Sequence, residues 1–416
     1  MDIAALHHLF LSSTGVTTDS RNCPEGSLFF ALKGESFNGN AFAKQALEKG
    51  CAYAVVDESL HATEGDDRFI VVDNVLSTLQ QLANYHRRQF NGAVIGITGT
   101  NGKTTTKELM AAVLTKSYRV LYTLGNLNNQ IGVPLTLLRL TPEYDMAIIE
   151  MGASHPGDIK ELVDIAEPDY GLITNVGKAH LEGFGSFEGV VKTKGELYNF
   201  LRQREGSVLF IHEDNPYLTT MAEGMNRISY GTTKMEESSE GYYINGKVAD
   251  NSTYLSVAWR AEGSETIHLA KTQLIGIYNL DNVLAAITVG RYFGVSDELI
   301  DEALAEYTPQ NNRSQLKNTE SNTLIIDAYN ANPTSMMASL ENFNSMEAEH
   351  KMLIIGDMKE LGEDSAAEHQ KIIDFIDTCT FEGVVLVGDL FAATRHTYTS
   401  YRNVENLIEI LKQQKP

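Results

Sequence analysis

The chain has 416 residues, 43% of them hydrophobic and 21% charged, a balance that fits a globular protein of about two to four domains. Its 33 basic against 55 acidic residues leave a formal charge of −22, which argues against a nucleic-acid or anionic-membrane surface but leaves room for a local cationic pocket. Cys23, Cys51 and Cys379 lack metal-ligand spacing and read as thiols of a reducing compartment. No apolar run reaches the roughly eighteen residues of a membrane span, and residues 1–8 lack the basic start of a signal peptide, so a cytoplasmic location without membrane insertion is expected.

Residues 1–84 read as a first unit. Apolar runs at 28–32, 52–56 and 69–72 predict buried strands, residues 42–49 predict a helix stopped by Gly50, and another helix starts near Val75. This order predicts a small α/β domain. Its polar loops, Thr18-Asp19-Ser20-Arg21 and residues 33–40, read on their own as ordinary turns.

The second unit, 85–307, opens with an apolar run at 93–98. It ends in Gly99-Thr100-Asn101-Gly102-Lys103-Thr104-Thr105, and a helical pattern follows over 107–114. Glycines that let backbone N–H groups close on an anion, a helix N-terminus, a lysine and a hydroxyl make this a phosphate-binding loop for a nucleoside triphosphate. The alternative is a glycine-rich turn with an exposed lysine. The loop is shorter than the usual one, which would place glycine where Ile97 stands. Further strands at 119–122, 146–150, 171–174 and 207–211 alternate with helices and predict a mainly parallel sheet, whose ligands sit at the carboxyl ends of the strands. Glu150 ends one of them and reads as a Mg²⁺ ligand, or else as a loop carboxylate. His180 follows another and is read evenly as ligand or structural. Short alternating runs at 242–244, 255–259 and 266–269 predict an antiparallel addition, before a helix from Val283.

The third unit, 308–416, carries apolar strands at 323–327, 352–357 and 384–389. Each ends in aspartate, and helices lie between them. The pattern is Rossmann-like but lacks a Gly-x-Gly-x-x-Gly loop, so no dinucleotide is expected.

Five stretches together carry more than generic pattern: residues 99–106; residues 123–134 around Asn128-Asn129; Glu150-Met151-Gly152-Ala153-Ser154-His155-Pro156-Gly157; Asp327-Ala328-Tyr329-Asn330-Ala331-Asn332-Pro333; and Gly356-Asp357-Met358-Lys359-Glu360-Leu361-Gly362-Glu363. The chain resembles the Mur ligases over nearly its whole length, and the last two stretches resemble the members that add D-alanyl-D-alanine. The resemblance implies three domains: a small α/β UDP-binding domain, a central ATPase-like parallel sheet and a C-terminal Rossmann-like domain. It implies that ATP phosphorylates the terminal carboxylate of a UDP-N-acetylmuramoyl-tripeptide, and that the amino group of D-Ala-D-Ala attacks the acyl phosphate. Bringing two anions together needs concentrated positive charge and in-line positioning.

By the same resemblance Lys103 is the γ-phosphate lysine, Thr104 and Glu150 hold a first Mg²⁺, and His180 attends a second. Lys194 corresponds to a lysine carried as a carbamate. Asn279, Asn282, Arg313, Asp327 and Tyr329 fall to the nucleotide. Asn330, Asn332, Asp357 and Glu360 fall to the incoming dipeptide. Ser20, Arg21, Asn38 and Gly39 fall to the UDP moiety, and Asn128 and Asn129 to the muramoyl-peptide arm. Two departures stand out. Tyr278 occupies a position where the family often has histidine. After Arg402 no match to the family's last strand and Lys-Gly-Ser-Arg-like segment is seen, so truncation or a different closure of the third domain is expected. A monomer hinged near Tyr85 and Tyr307-Thr308-Pro309 is expected.

Overall fold

The computed structural model describes residues 2–232, 243–251, 253–310 and 312–413. The first unit is a four-stranded parallel sheet of Val16–Thr17, Leu28–Phe30, Tyr53–Val56 and Phe69–Val71. Its strands are apolar without alternation because both faces are covered. Leu28, Phe30, Val55 and Ile70 pack with Leu6, Phe10, Leu79 and Leu82 of helices Ile3–Leu11 and Val75–Arg87. Phe29, Ala54 and Val56 pack on helix Ala43–Glu48. The sequence reading did not find helix Ile3–Leu11 or strand Val16–Thr17. The helix has a clear start, with Asp2 accepting from the Ala5 amide at 2.7 Å, but His7 and His8 blur its apolar face.

The expected hinge at Tyr85 falls inside the unbroken helix Val75–Arg87. Leu79, Leu82 and Ala83 of this helix belong to one apolar cluster with Leu121, Leu137, Ile159 and Leu162 of the central unit. Arg87, buried at the helix end, donates to the Ala166 and Glu167 carbonyls at 2.9 Å and pairs with Asp169 at 3.0 Å. The first two units are therefore joined by shared core and not by a loose linker.

The central sheet has nine strands, ordered His268–Lys271, Ser256–Ala261, Ile244–Asp250, Arg227–Gly231, Val208–His212, Tyr170–Ile173, Ala93–Thr98, Met146–Glu150, Val120–Tyr122. Helices Lys103–Leu114 and Leu280–Tyr292 cover one face, and Asp158–Ala166 and Phe187–Arg202 the other. The expected antiparallel addition is corrected in part. Arg227–Gly231 and Ile244–Asp250 continue the parallel order, and only Ser256–Ala261 runs against it, so that the last two pairings are antiparallel. Tyr242, the start of the first expected strand there, lies outside the described residues.

In the third unit Met352–Gly356, Gly383–Val387 and Thr399–Tyr401 form a parallel sheet, flanked by helices Pro333–Ser345 and Ser365–Ile376. The apolar run at 323–327 does not join it. A turn closed by the Thr319 amide on the Asn322 carbonyl folds Thr323–Ile326 back on Gln315–Asn318 as a separate hairpin. Among the described residues no helix is long and apolar enough to cross a membrane.

Candidate active site

The carboxyl ends of the central parallel strands open into a cavity of about 570 Å³, and the third unit supplies its far wall. Residues 100–105 line it, with Gly99 directly behind. Gly99 (φ +141°) and Gly102 (φ +79°) take left-handed backbone conformations; a Cβ on them would meet Thr174 Oγ1 at 2.0 Å and Asn282 Oδ1 at 2.5 Å. These two glycines make the short loop possible. Thr174 and Asn175 then fix its tip: Thr174 Oγ1 donates to the Asn101 carbonyl at 2.6 Å, and the Asn101 amide donates to Asn175 Oδ1 at 3.0 Å. Neither residue was singled out in the sequence, although both follow a parallel strand end, where polar residues are informative.

Lys103 Nζ lies back over the loop, donating to the Gly99 and Thr100 carbonyls at 2.8 and 2.9 Å. Burial pushes its ammonium down to about 8, with Arg313 acting in the same direction and Glu150 opposing. Glu150 is 1% exposed. Its Oε1 accepts from Thr104 Oγ1 at 3.1 Å and from Asn128 Nδ2 at 2.9 Å, while Oε2 accepts no hydrogen bond among the described residues. Lys107 Nζ, 1% exposed, stands 3.5 Å from Oε2. The sequence reading missed Lys107, though it lies one helical turn beyond Lys103 on the same face.

A buried carboxylate with an unsatisfied oxygen, next to a hydroxyl, is an oxygen donor set suited to a hard divalent cation. Among the described residues no group of three or more His, Cys, Asp and Glu side chains gathers at a metal-sized site. A small number of protein ligands is what Mg²⁺ uses when phosphates and water complete its shell.

His180 (φ +51°) reaches the cavity rim, and its Nδ1 bonds Glu360 of the third unit. Lys194, on helix Phe187–Arg202, is 2% exposed and lies beneath the cavity without lining it. Its Nζ has no hydrogen-bond or ion-pair partner among the described residues and sits 5.4 Å from the Phe184 ring centroid. Burial, and then Lys103, hold it well below the ordinary lysine value.

Asn279 and Asn282 line the cavity, but their amides also support the loop. Asn282 Oδ1 accepts from Thr106 at 2.9 Å, its Nδ2 donates to Asn279 Oδ1 at 2.9 Å, and Asn279 donates to the Ile275 carbonyl at 2.8 Å. Tyr278, where histidine was looked for, bonds Ser314 across the units at 2.8 Å; burial pushes its phenol up to about 12. Arg313 stacks on Tyr329 at 3.8 Å. Asp327, Asn330 and Asn332 share that wall. Asn332 Nδ2 donates to Asn101 Oδ1 at 2.7 Å, bridging the third unit to the loop tip. Asn129 lines the opposite side and caps helix Gly132–Leu137 through the Gly132 amide at 2.9 Å.

Several expected residues lie elsewhere. Asp357 does not line the cavity: its carboxylate accepts from the Leu390 and Phe391 amides at 3.0 and 2.9 Å, so it anchors the start of helix Asp389–Ala392. Glu360 also stays outside the lining and meets the site only through His180. Ser20, Arg21, Asn38 and Gly39 remain on the first unit. There Arg21 pairs with Asp19 at 2.9 Å, the Ser20 carbonyl accepts from Lys49, and Asn38 caps the short helix Gly39–Phe42.

Family models match three consecutive segments: the Mur ligase family, catalytic domain over residues 12–87; the Mur ligase middle domain over 97–290; and the Mur ligase, glutamate ligase domain over 312–414. The UDP-N-acetylmuramoyl-tripeptide–D-alanyl-D-alanine ligase of Bacillus subtilis is 35% identical, covering 96% of this chain and 87% of that protein. The one of Escherichia coli is 36% identical, over 90% of this chain and 81% of its own. The MurF of Acinetobacter baumannii superposes with a TM-score of 0.84 at 27% identity, and MurF ligase of Thermotoga maritima in complex with ADP with 0.84 at 28%; each covers 98% of this chain and 92% of the other. The three family segments follow one another along the chain, and relatives more than 30% identical match it over at least nine-tenths of its length: the chain belongs to the Mur ligase family.

Proposed function

We propose that the chain is an ATP-dependent ligase that joins D-alanyl-D-alanine to a UDP-N-acetylmuramoyl-tripeptide in peptidoglycan precursor synthesis. The observation that carries the reading is the meeting of Lys103, Thr104 and Glu150 with Arg313, Asn330 and Asn332 around one cavity. A phosphate donor and an amine acceptor can then be held against each other by different units.

On this reading the amides of residues 100–105 and Lys103 cradle the β- and γ-phosphates, and Arg313 swings from Tyr329 to the developing charge. Asp327 takes the ribose hydroxyls. Thr104 and Glu150 would hold Mg²⁺, with His180 at a second position; when bound, the cation would neutralise phosphate charge. The substrate carboxylate, held on the Asn128–Asn129 side, attacks the γ-phosphorus and releases ADP. The dipeptide amine, met at Asn330 and Asn332, then attacks the acyl phosphate carbon. Its proton leaves, the C–O bond breaks, and phosphate departs as the amide forms. Ser20, Arg21, Asn38 and Gly39 serve the UDP moiety from the first domain, residues 1–84, beside a central ATP-binding domain, 85–307, and a dipeptide domain, 308–416. The reaction belongs to the cytoplasm, and a monomer suffices.

Lys194, without a hydrogen-bond or ion-pair partner among the described residues and held below the ordinary lysine value by burial, suits addition of one CO₂ to give a carbamate and a proton, an anionic ligand in place of a cation. Lys194→Ala should lose most turnover and regain part of it with a short-chain carboxylate; wild-type rates in the unrescued variant would remove the carbamate.

The function itself is tested by phosphate release from ATP in the presence of the UDP-linked tripeptide. Release should depend on that substrate and on D-Ala-D-Ala, and should be weak with a single amino acid such as glutamate. Release indifferent to both substrates would overturn the ligase reading.

A further inference from the structure

One wall of the cavity carries a charge that the proposed reaction leaves unused. Asp281 lies in the first turn of helix Leu280–Tyr292, between Asn279 and Asn282, and its side chain is 44% exposed where it lines the cavity. The two asparagines flanking it spend amide groups on the phosphate loop and on each other. Behind Asp281, His212 ends strand Val208–His212. Its Nδ1 stands 3.5 Å from Asp281 Oδ2, its ring is stacked flat on buried Tyr230 with centroids 5.4 Å apart, and Asp214 lies 3.6 Å from its other nitrogen. The acid thus rests against an imidazole that cannot turn freely.

Position decides what such a carboxylate can meet. In the sheet, Val208–His212 lies two strands from Ala93–Thr98, on the side away from Met146–Glu150. Asp281 and Glu150 therefore flank the loop from opposite sides. The phosphates belong with Lys103 and Glu150, and a carboxylate on the other flank repels them. An adenine nucleotide carries few hydrogen-bond donors: the ribose hydroxyls and the exocyclic amine of the base. The hydroxyls fall to Asp327 on the third-unit wall. The amine remains.

Resting on the ATP reading above, we infer that Asp281, braced by His212, accepts a hydrogen bond from the exocyclic amine of adenine and is the residue that selects adenine over 6-oxopurines. A hypoxanthine or guanine ring turns a carbonyl oxygen to the same place, so acceptor would face acceptor. The loop and Lys103 treat all these nucleotides alike, so discrimination depends on this wall.

The test is calorimetric binding of ADP and of inosine diphosphate to the full chain, which differ in the 6-substituent of the ring and in the hydrogen that N1 beside it gains. Wild type should prefer ADP by about ten- to hundredfold, the range of one hydrogen bond to a charged group. Asp281→Asn, which can turn its amide nitrogen to the carbonyl, should weaken ADP, strengthen inosine diphosphate and bring the two within about threefold. His212→Gln should reduce the preference less. Melting curves of the unliganded variants show whether they are folded, and Asp281→Glu, which keeps the acceptor, should retain the order of preference. An unchanged preference in folded Asp281→Asn, or equal weakening of both nucleotides, would overturn the assignment while leaving the ATP site intact. A wild-type chain that binds neither nucleotide would instead remove the ATP reading, and this inference with it.

Discussion

Lys103 and Lys107, one turn apart on a single helix, meet different partners. Lys103 is buried over carbonyls that a nucleotide's phosphates would displace, and its ammonium has fallen to about 8. Bound phosphates raise that value again, so nucleotide binding takes up a proton wherever the free lysine has begun to lose one. ADP affinity should therefore fall as pH rises through about 8. Titrations near that pH in buffers of different ionisation enthalpy should report net proton uptake, absent in Lys103→Met. Lys107 instead pairs with buried Glu150. Lys107→Met strands a buried carboxylate and should cost about 3 kcal/mol of stability, read by denaturant unfolding. Lys103 was visible in the sequence because the glycines around it have a backbone task. Lys107 was not, since a lysine in a helical pattern reads as solvated until a buried acid from a distant strand is placed beside it. Asp357 shows the opposite case: the resemblance gave it to the incoming dipeptide, but its carboxylate holds the start of a downstream helix.

Among elements, those with one role were legible and those with two were not. Strands Ala93–Thr98 and Met146–Glu150 match their apolar runs because they are buried on both faces. Thr323–Ile326 has an equally apolar run yet forms a half-exposed hairpin, because pairing partners depend on the turn before it. Helix Pro333–Ser345 has a start readable from Asn332-Pro333, with Asn332 Oδ1 accepting from the Ser335 amide at 2.9 Å. The same side chain reaches Asn101 on the phosphate loop, which no local pattern announces. Asn332→Ala should then cost about 1 kcal/mol as a lost cap. It should also raise KM for ATP severalfold, whereas Ser335→Ala, which removes the other half of the capping box but leaves the Asn332 side chain on Asn101, should raise that KM less.

On the scale of the whole molecule, the two junctions differ in kind. The first and central units share an apolar cluster and the buried Arg87, while the third is held by polar contacts: Asn101 with Asn332, His180 with Glu360, Lys178 with Glu368 at 2.9 Å, and Tyr278 with Ser314. Calorimetry should show two transitions, a large one for residues before the Tyr307 linker and a smaller one after it, with ADP drawing them together. A single ligand-independent transition would contradict that division. The sequence suggested a hinge at each bridge between motif-bearing units, whereas stiffness depends on which apolar surfaces the folded chain merges. The remaining hinge has anchors of its own: Thr308 donates to Gln273 at 3.1 Å, and Tyr307 donates its hydroxyl to Glu108 at 2.6 Å. Glu108 rides on helix Lys103–Leu114, about 7.5 Å along the axis from Lys103. A torque on the linker is therefore delivered to the rod that carries the phosphate loop at its tip, and the swing of the third domain and the grip on the nucleotide become two readings of one lever.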